Sequence, residues 1–256
     1  MSIPKYEYSK VYEQDFFPRK YLTELYSTLY GAAESGELFL FSLKTIIELS
    51  KSLPDKIERA LDFGCGPVVQ GLMSVAERIQ SEVIYSDYAR GNLDEIEKWM
   101  AKTDDFFSFL HFSTVHAEAT RSTPEKLEAA LRSKFKGTMS SDIFVDDIMP
   151  LNKGKKFDYI FTSMCIEGCC TTQADYDNGI AKLAELLTPG GFVIQYCVLN
   201  QDDYQLGDVT IPSLNLSFED AKDAWAKAGC AIVETRHLPN IAPGVEVGVC
   251  TFRVRK

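Results

Sequence analysis

The sequence has no apolar run approaching the roughly 20 residues that span a bilayer. Its start, MSIPKYEYSK, lacks the apolar core of a secretory signal. Neither membrane insertion nor export is expected, and the cytosol is the expected compartment. Basic residues are outnumbered, 27 Lys and Arg against 37 Asp and Glu, for a net charge of -10 and a pI near 4.9. A surface of that sign repels phosphate backbones and anionic lipid, so a small-molecule partner is expected rather than nucleic acid or membrane. Histidine is scarce, and none of His111, His116 and His237 lies near Cys165, Cys169 and Cys170. The spacing CxxxCC is no standard zinc pattern, so no metal is expected. The seven cysteines show no disulfide framework, and Cys65, Cys197, Cys230 and Cys250 stand inside apolar runs, where cysteine behaves as a small buried hydrophobe. There is no internal repeat, low-complexity segment or long apolar heptad run. A single domain over 1–256 and a monomer are the expectation.

What the chain does have is alternation. Residues 1–52 are aromatic-rich, with Tyr12, Phe16, Phe17, Tyr21, Tyr26 and Tyr30 ahead of an apolar helix from Leu38 to Leu49. This segment reads equally as core-forming helices or as a helical lid over a ligand. From Arg59 onward the pattern predicts strand RALDF, helix VVQGLMSVAERI, strand EVIYSD and helix NLDEIEKWMAK. A long polar stretch follows, with a helix TPEKLEAALRSKF that opens on a Thr-Pro start signal. Then come DIFVDDI and FDYIFTSMC as strands, a helix from about Gln173 to Leu187, the turn Thr188 to Gly191, and the strand FVIQYCVL. Strands alternating with helices at this spacing make a mostly parallel sheet. After a hairpin-like insertion DDYQLGDVTIPSLNLS and a helix FEDAKDAWAKAG, the strands CAIVETRHL and VGVCTFRVR follow too closely for a crossover, so they pair antiparallel. The expected fold is α/β: a Rossmann-like seven-stranded sheet with an antiparallel last strand, helices on both faces and an N-terminal helical lid. That is the shape of a class I methyltransferase.

The most informative run is ALDFGCGP. A short apolar strand ending in Gly64-Cys65-Gly66 lets a backbone turn press on a nucleoside, and Asp87, at the end of the next strand, can accept hydrogen bonds from ribose hydroxyls. A dehydrogenase is disfavoured because Val69 stands where a third glycine belongs. Asp147, followed by Ile148 at the end of the predicted third strand, could meet an adenine amino group; a solvated strand end is the alternative. Ser163 and Glu167 follow the fourth strand and open toward the same crevice, although Glu167 could equally be a helix-initiating acid.

FFPRKYLTELY, ALDFGCGP, SDYARGNLDEIEKWM, SMCIEGCC and LLTPGGFVI, in that order, resemble the small-molecule amine N-methyltransferases, the family of nicotinamide, phenylethanolamine and indolethylamine N-methyltransferases. The resemblance runs from about Tyr12 to the C-terminus. It implies a cytosolic enzyme that transfers the methyl group of S-adenosylmethionine to a nitrogen of a small amine or pyridine. By position, Tyr21 and Tyr26 would meet the methionine part of the cofactor, Gly64, Cys65 and Gly66 the turn beside it, and Asp87 the ribose. Tyr88 and Asn92 would pack or bond nearby, Asp147 and Ile148 would frame the adenine, and Ser163 would sit near the methionine end. Tyr12, Tyr21, Glu167, Tyr204 and Ser213 would form the acceptor side, with Tyr21 and Glu167 catalytic. A second family carboxylate falls on Cys197, which cannot carry its charge at neutral pH unless its pKa is strongly lowered. Val68 and Gln70 also depart from the threonine and tyrosine of the nicotinamide enzymes. An O- or S-methyltransferase, or a S-adenosylmethionine-binding protein without turnover, is the alternative reading.

Overall fold

The computed structural model describes residues 17–29, 36–206, 209–241 and 247–256. Two helices, α1 (Pro18–Leu25) and α2 (Gly36–Ser50), precede the sheet. The rest runs β1 (Ile57–Phe63), a 3-10 helix (Gln70–Arg78), β2 (Ile79–Asp87), α3 (Arg90–Ala101), α4 (Leu110–Thr120), α5 (Pro124–Lys134), β3 (Phe135–Ser140), β4 (Phe157–Ser163), α6 (Ile166–Cys169), α7 (Gln173–Glu185), β5 (Leu187–Leu199), the hairpin β6 (Asp203–Leu206) and β7 (Val209–Pro212), α8 (Phe218–Lys227), β8 (Ala231–Leu238) and β9 (Gly248–Arg255). The helix starts follow their sequence signals: Thr123, Thr172 and Ser217 each accept a backbone N–H of the first turn through the side-chain oxygen, and Pro124 begins α5 where its missing N–H costs nothing.

The seven-stranded sheet has the order β3-β2-β1-β4-β5-β9-β8. The first five of these strands are parallel, and β9 lies antiparallel between β5 and β8. One face packs on α2, the 3-10 helix and α3 to α5, through Leu43, Leu72, Ile96, Phe112 and Leu131; the other packs on α7 and α8, through Tyr176, Ile180 and Trp225. Because chain direction reverses its stepping between β1 and β4, the loops after β1, β2, β4 and β5 gather at one edge, the position where open α/β sheets bind ligands. Among the described residues no helix is long and apolar enough to cross a membrane.

Three details depart from expectation. The segment after the glycine turn is wound as a 3-10 helix, in which Gly71 lies directly against Phe161 and the Asp62 carboxylate. The polar stretch after α3 contains the helix α4. The third strand is not DIFVDDI but FKGTMS, Phe135–Ser140, paired with β2 from Val83 to Asp87. It is an edge strand with no fully buried residue, so it lacks the apolar signature by which strands are recognised, whereas 141–149 is an irregular loop whose Ile143, Ile148 and Met149 are buried as core plugs.

A buried polar chain locks the α7/α8 face: Trp225 Nε1 donates to Gln195 Oε1 at 2.8 Å, and Gln195 Nε2 donates to the Tyr176 hydroxyl at 3.0 Å. Gln195→Ala strands both partners out of water, which costs about 3 kcal/mol and lowers the melting temperature by roughly 10 °C in a chain of this size. Differential scanning calorimetry checks it.

Candidate active site

The turn after β1 brings Gly64 and Gly66 into the left-handed region, with φ of 65° and 56°. A Cβ on Gly64 would lie 2.0 Å from Cys165 Sγ, so side-chain contact closes that side of the turn. At Gly66 nothing lies within 4 Å of where a Cβ would be. The turn is therefore sealed toward the protein at one glycine and open at the other, where a ligand can approach the backbone.

Asp87 ends β2 beside that opening. Its Oδ2 accepts the Gly66 N–H at 2.8 Å, and its Oδ1 accepts the Ala89 N–H at 2.8 Å and Asn92 Nδ2 at 3.0 Å. Asn92 thus acts on Asp87 itself. Burial raises the Asp87 pKa, and these three donors, with the Tyr88 backbone N–H as a fourth, oppose that rise. Asp62, inside β1, is also buried; loss of water and the nearby Asp87 charge hold its carboxyl well above the usual range. Cys65 is buried beneath them with its thiol pushed up by burial and then by both carboxylates. Tyr88 stands out into solvent at 42 % exposure, an uncovered ring at the mouth of the crevice.

The loop after β3 carries two acid-aliphatic pairs, Asp142-Ile143 and Asp147-Ile148. Asp147 is exposed, and its Oδ1 accepts the Met149 N–H within its own turn; Ile148 is buried in the core. The acid that follows the carboxyl end of β3 is Asp142, two residues past Ser140, with Ile143 beside it. Ser141 N–H donates to the Asp87 carbonyl at 3.1 Å, which joins this loop to the end of β2. Asp142 is half-buried, its Oδ1 likewise accepts the Phe144 N–H of its own turn, and Ile143 is buried in the same core cluster, so what sets this pair apart is its place directly after the carboxyl end of β3.

From the other side α1 leans over the crevice. Arg19 Nε donates to Glu95 Oε2 on α3 at 2.9 Å, and His111 Nε2 donates to the Tyr26 carbonyl at 2.8 Å. The Tyr21 and Tyr26 rings are 5.6 Å apart, and their side chains hydrogen-bond. Both hydroxyls are raised chiefly by burial; Asp87 adds to this at Tyr21, while Tyr196 and Asp62 add to it at Tyr26. The structure therefore sets Tyr21 toward Asp87 and Tyr26 toward the ends of β1 and β5. Tyr12 lies outside the described residues.

Glu167 opens α6, just past β4. Its Oε1 accepts the Val198 N–H at 3.0 Å, while Oε2 is buried with no hydrogen-bond partner among the described residues. Removal from water pushes its pKa up to about 7. The hairpin insertion closes over it: Leu214 N–H donates to the Glu167 carbonyl at 3.1 Å, and the Tyr204 hydroxyl donates to the Gly168 carbonyl at 3.4 Å. Ser213 Oγ donates to the Gln201 carbonyl at 2.9 Å and so ties the insertion to the end of β5. Ser163 lies beside Tyr196 across the β4/β5 pair. Met164 and Asn200, directly after β4 and β5, both have left-handed backbones, φ 47° and 56°, the kind of strain that gathers at working sites.

Cys197 is placed elsewhere. It is fully buried, with Sγ 3.1 Å from Cys250 Sγ on β9, and burial holds its thiol well above the ordinary value. It cannot replace the charge of a carboxylate. Sequence reasoning passed over its neighbour Tyr196, whose hydroxyl, like the side-chain oxygens of Thr162 and Gln70, is buried without a hydrogen-bond partner among the described residues. The signal available was strand alternation: if Cys197 faces the core, Tyr196 faces the opposite side.

Comparison with known proteins fits this geometry. The chain matches the profile of the NNMT/PNMT/TEMT family over residues 5–247. The chain belongs to that family. It is 27% identical to an indolethylamine N-methyltransferase of Mus musculus across 87% of this chain and 85% of that one, and 27% identical to a nicotinamide N-methyltransferase of Homo sapiens across 86% and 84%. A solved cyclopropane synthase, MmaA2 of Mycobacterium tuberculosis, shares the fold with a TM-score of 0.53 at 10% identity, covering 85% of this chain and 84% of that one. With the family comes the enzyme class, a S-adenosylmethionine-dependent N-methyltransferase. The residues fit that cofactor: Gly66 leaves its outer side open next to the buried Asp87 carboxylate, an acceptor group held at the end of β2.

Two outcomes check this site. Asp87→Ala weakens S-adenosylmethionine binding at least about tenfold by isothermal titration calorimetry, since hydrogen bonds to a charged group are lost. Glu167 holds its proton to about pH 7 in the folded chain but only to about pH 4.3 when unfolded. Its protonated form therefore favours folding at low pH, and that contribution is lost as pH rises from about 4 through 7, by up to about 3 kcal/mol. Glu167→Gln, which cannot ionise, gains melting temperature over the parent at pH 8 and gains less at pH 5.

Proposed function

We infer that the protein methylates a nitrogen of a small amine or pyridine, and that the crevice divides into a cofactor half and an acceptor half. Tyr21, Tyr26, Gly64, Cys65, Gly66 and Ser163 surround the methionine end of S-adenosylmethionine. Asp87, braced by Asn92, accepts the ribose hydroxyls, Tyr88 covers a face of the nucleoside, and Asp142 with Ile143 receives the adenine. Glu167, Tyr204 and Ser213 form the acceptor half, with α1 as its lid. When bound, the cofactor supplies an electrophilic methyl group on a sulfonium.

The chain's own task is then alignment. The tyrosine-bearing helix and the β6/β7 hairpin exclude water, and the strand ends hold the nitrogen lone pair toward the methyl, which together can lower the barrier by several kcal/mol without a covalent nucleophile. The observation that carries this reading is Glu167. Its carboxyl is buried, anchored through Oε1, free at Oε2 and able to exchange a proton near neutral pH. A carboxylate so placed binds an N–H of the acceptor and takes its proton. An aliphatic amine enters as the ammonium and needs that base; a pyridine nitrogen does not.

The test is incubation with S-adenosylmethionine and a panel of pyridines, arylethylamines and thiols, read by mass spectrometry. N-methylated product and S-adenosylhomocysteine appear together, and Glu167→Gln lowers amine turnover at least about tenfold. Methylation of the thiols alone would falsify the nitrogen reading.

A further inference from the structure

The two ends of α1 are held differently. Toward its C-terminal end Leu22 is fully buried, the Tyr26 ring lies 5.2 Å from that of Phe39 and 5.8 Å from that of Phe112, and the Tyr26 carbonyl accepts His111 Nε2. At its N-terminal end Phe17 is 64% exposed and the tie is polar: Arg19 Nε and Nη2 donate to Glu95 Oε2 on α3 at 2.9 and 2.5 Å. An apolar anchor at one end and an ion pair at the other make a hinge and a latch.

The helix that receives the latch also braces the cofactor carboxylate. The start of α3 supplies Ala89 N–H and Asn92 Nδ2 to Asp87, and between these two donors lies Gly91, where a Cβ would come within 3.2 Å of Pro18 Cγ. Glu95 stands one turn beyond Asn92. α1 therefore begins against the turn that holds Asp87 and is fastened one turn further along the same helix.

Glu95 can release Arg19 without being stranded. Its side chain is 7% exposed, and its Oε1 accepts Lys98 Nζ at 3.2 Å within α3, while Lys98 also pairs with Asp105 at 3.0 Å. When α1 lifts, the carboxylate keeps a cation on one oxygen, and the Arg19 side chain, already 41% exposed, passes to water. Opening thus avoids the unpaired buried charge that would otherwise oppose it.

We propose that Arg19 is a positioning residue whose ion pair with Glu95 latches α1 over the bound cofactor and sets how long S-adenosylmethionine and S-adenosylhomocysteine stay. This rests on the assignment of the Asp87 half of the crevice to that cofactor. Arg19 acts through α1, which carries Tyr21 and Tyr26, rather than by touching a ligand. Release from a closed crevice requires opening, so the dissociation rate follows the fraction of time for which the latch is undone.

The experiment measures the dissociation rate of S-adenosylhomocysteine by surface plasmon resonance in the parent, Arg19→Gln, Glu95→Gln and the double variant. Arg19→Gln speeds dissociation about three- to tenfold, Glu95→Gln acts in the same direction, and the double variant goes no further than Arg19→Gln, since the two changes undo one pair. Raising potassium chloride from about 0.05 M to about 0.5 M speeds dissociation from the parent toward the variant rate and leaves Arg19→Gln nearly unchanged, a dependence that loss of packing would not produce. An unchanged rate in Arg19→Gln, additive effects in the double variant, or equal salt dependence in parent and Arg19→Gln overturns the latch. Weakened binding in Asp87→Ala beside an unchanged rate in Arg19→Gln leaves the cofactor half standing and removes the latch alone. If the parent binds no S-adenosylhomocysteine, the assignment of the cofactor half fails and the latch fails with it.

Discussion

The Asp87 carboxylate holds the site together. It reaches back to the Gly66 N–H, forward to Ala89 and sideways to Asn92, so a single buried group ties the end of β2 to the turn after β1 and to the start of α3. Its backbone carbonyl also accepts from Ser141, which secures the loop after β3. Three segments distant in sequence, around Gly66, from Asp87 to Asn92 and at Ser141, are joined through this residue. The arrangement is possible because parallel strands end together and because glycine at 64 and 66 accepts left-handed geometry.

Along this edge lie ionisable groups whose charged forms burial disfavours. Asp62, Asp87 and Glu167 are all raised, and so are Tyr21, Tyr26 and Tyr196. Clustered groups of this kind mark functional sites, because a fold selected only for stability would replace them with well-packed apolar residues. The raised carboxyls suit a cationic ligand, which repays their desolvation as it enters. The net charge of -10 acts in the same sense at longer range.

Much of this was legible in the sequence because the pattern is strong where both faces of a strand are buried. In β1, β2, β4 and β5 the apolar runs fall within or over the observed strands, with Gly64 after β1 and Asp87 at the end of β2, although β5 begins at Leu187 and takes in the expected turn from Thr188 to Gly191; the antiparallel pair β8/β9 was implied by the short connection between them. β3 was misplaced for the converse reason. As an edge strand it carries Lys136, Gly137 and Thr138 at half-exposed or exposed positions, while the following loop supplies the isoleucines that resemble a strand. With the strand, the acid that directly follows the carboxyl end of β3 becomes Asp142 rather than Asp147.

Sequence alone determined the family, through its ordered motifs, and the left-handed glycine turn with Asp87 beside it, since these rest on local backbone geometry written in glycines and on fixed spacing between consecutive strands. The tertiary structure decided which face of the sheet each of two adjacent residues on β5 takes. Cys197 and Tyr196 are neighbours in the chain, and only the register of β4, β5 and β9 sets one against Cys250 and the other in the row of Ser163 and Thr251, on the side of α2. Side chains alternate across a strand, so a single-residue step exchanges one face for the other, and that choice is made by long-range pairing.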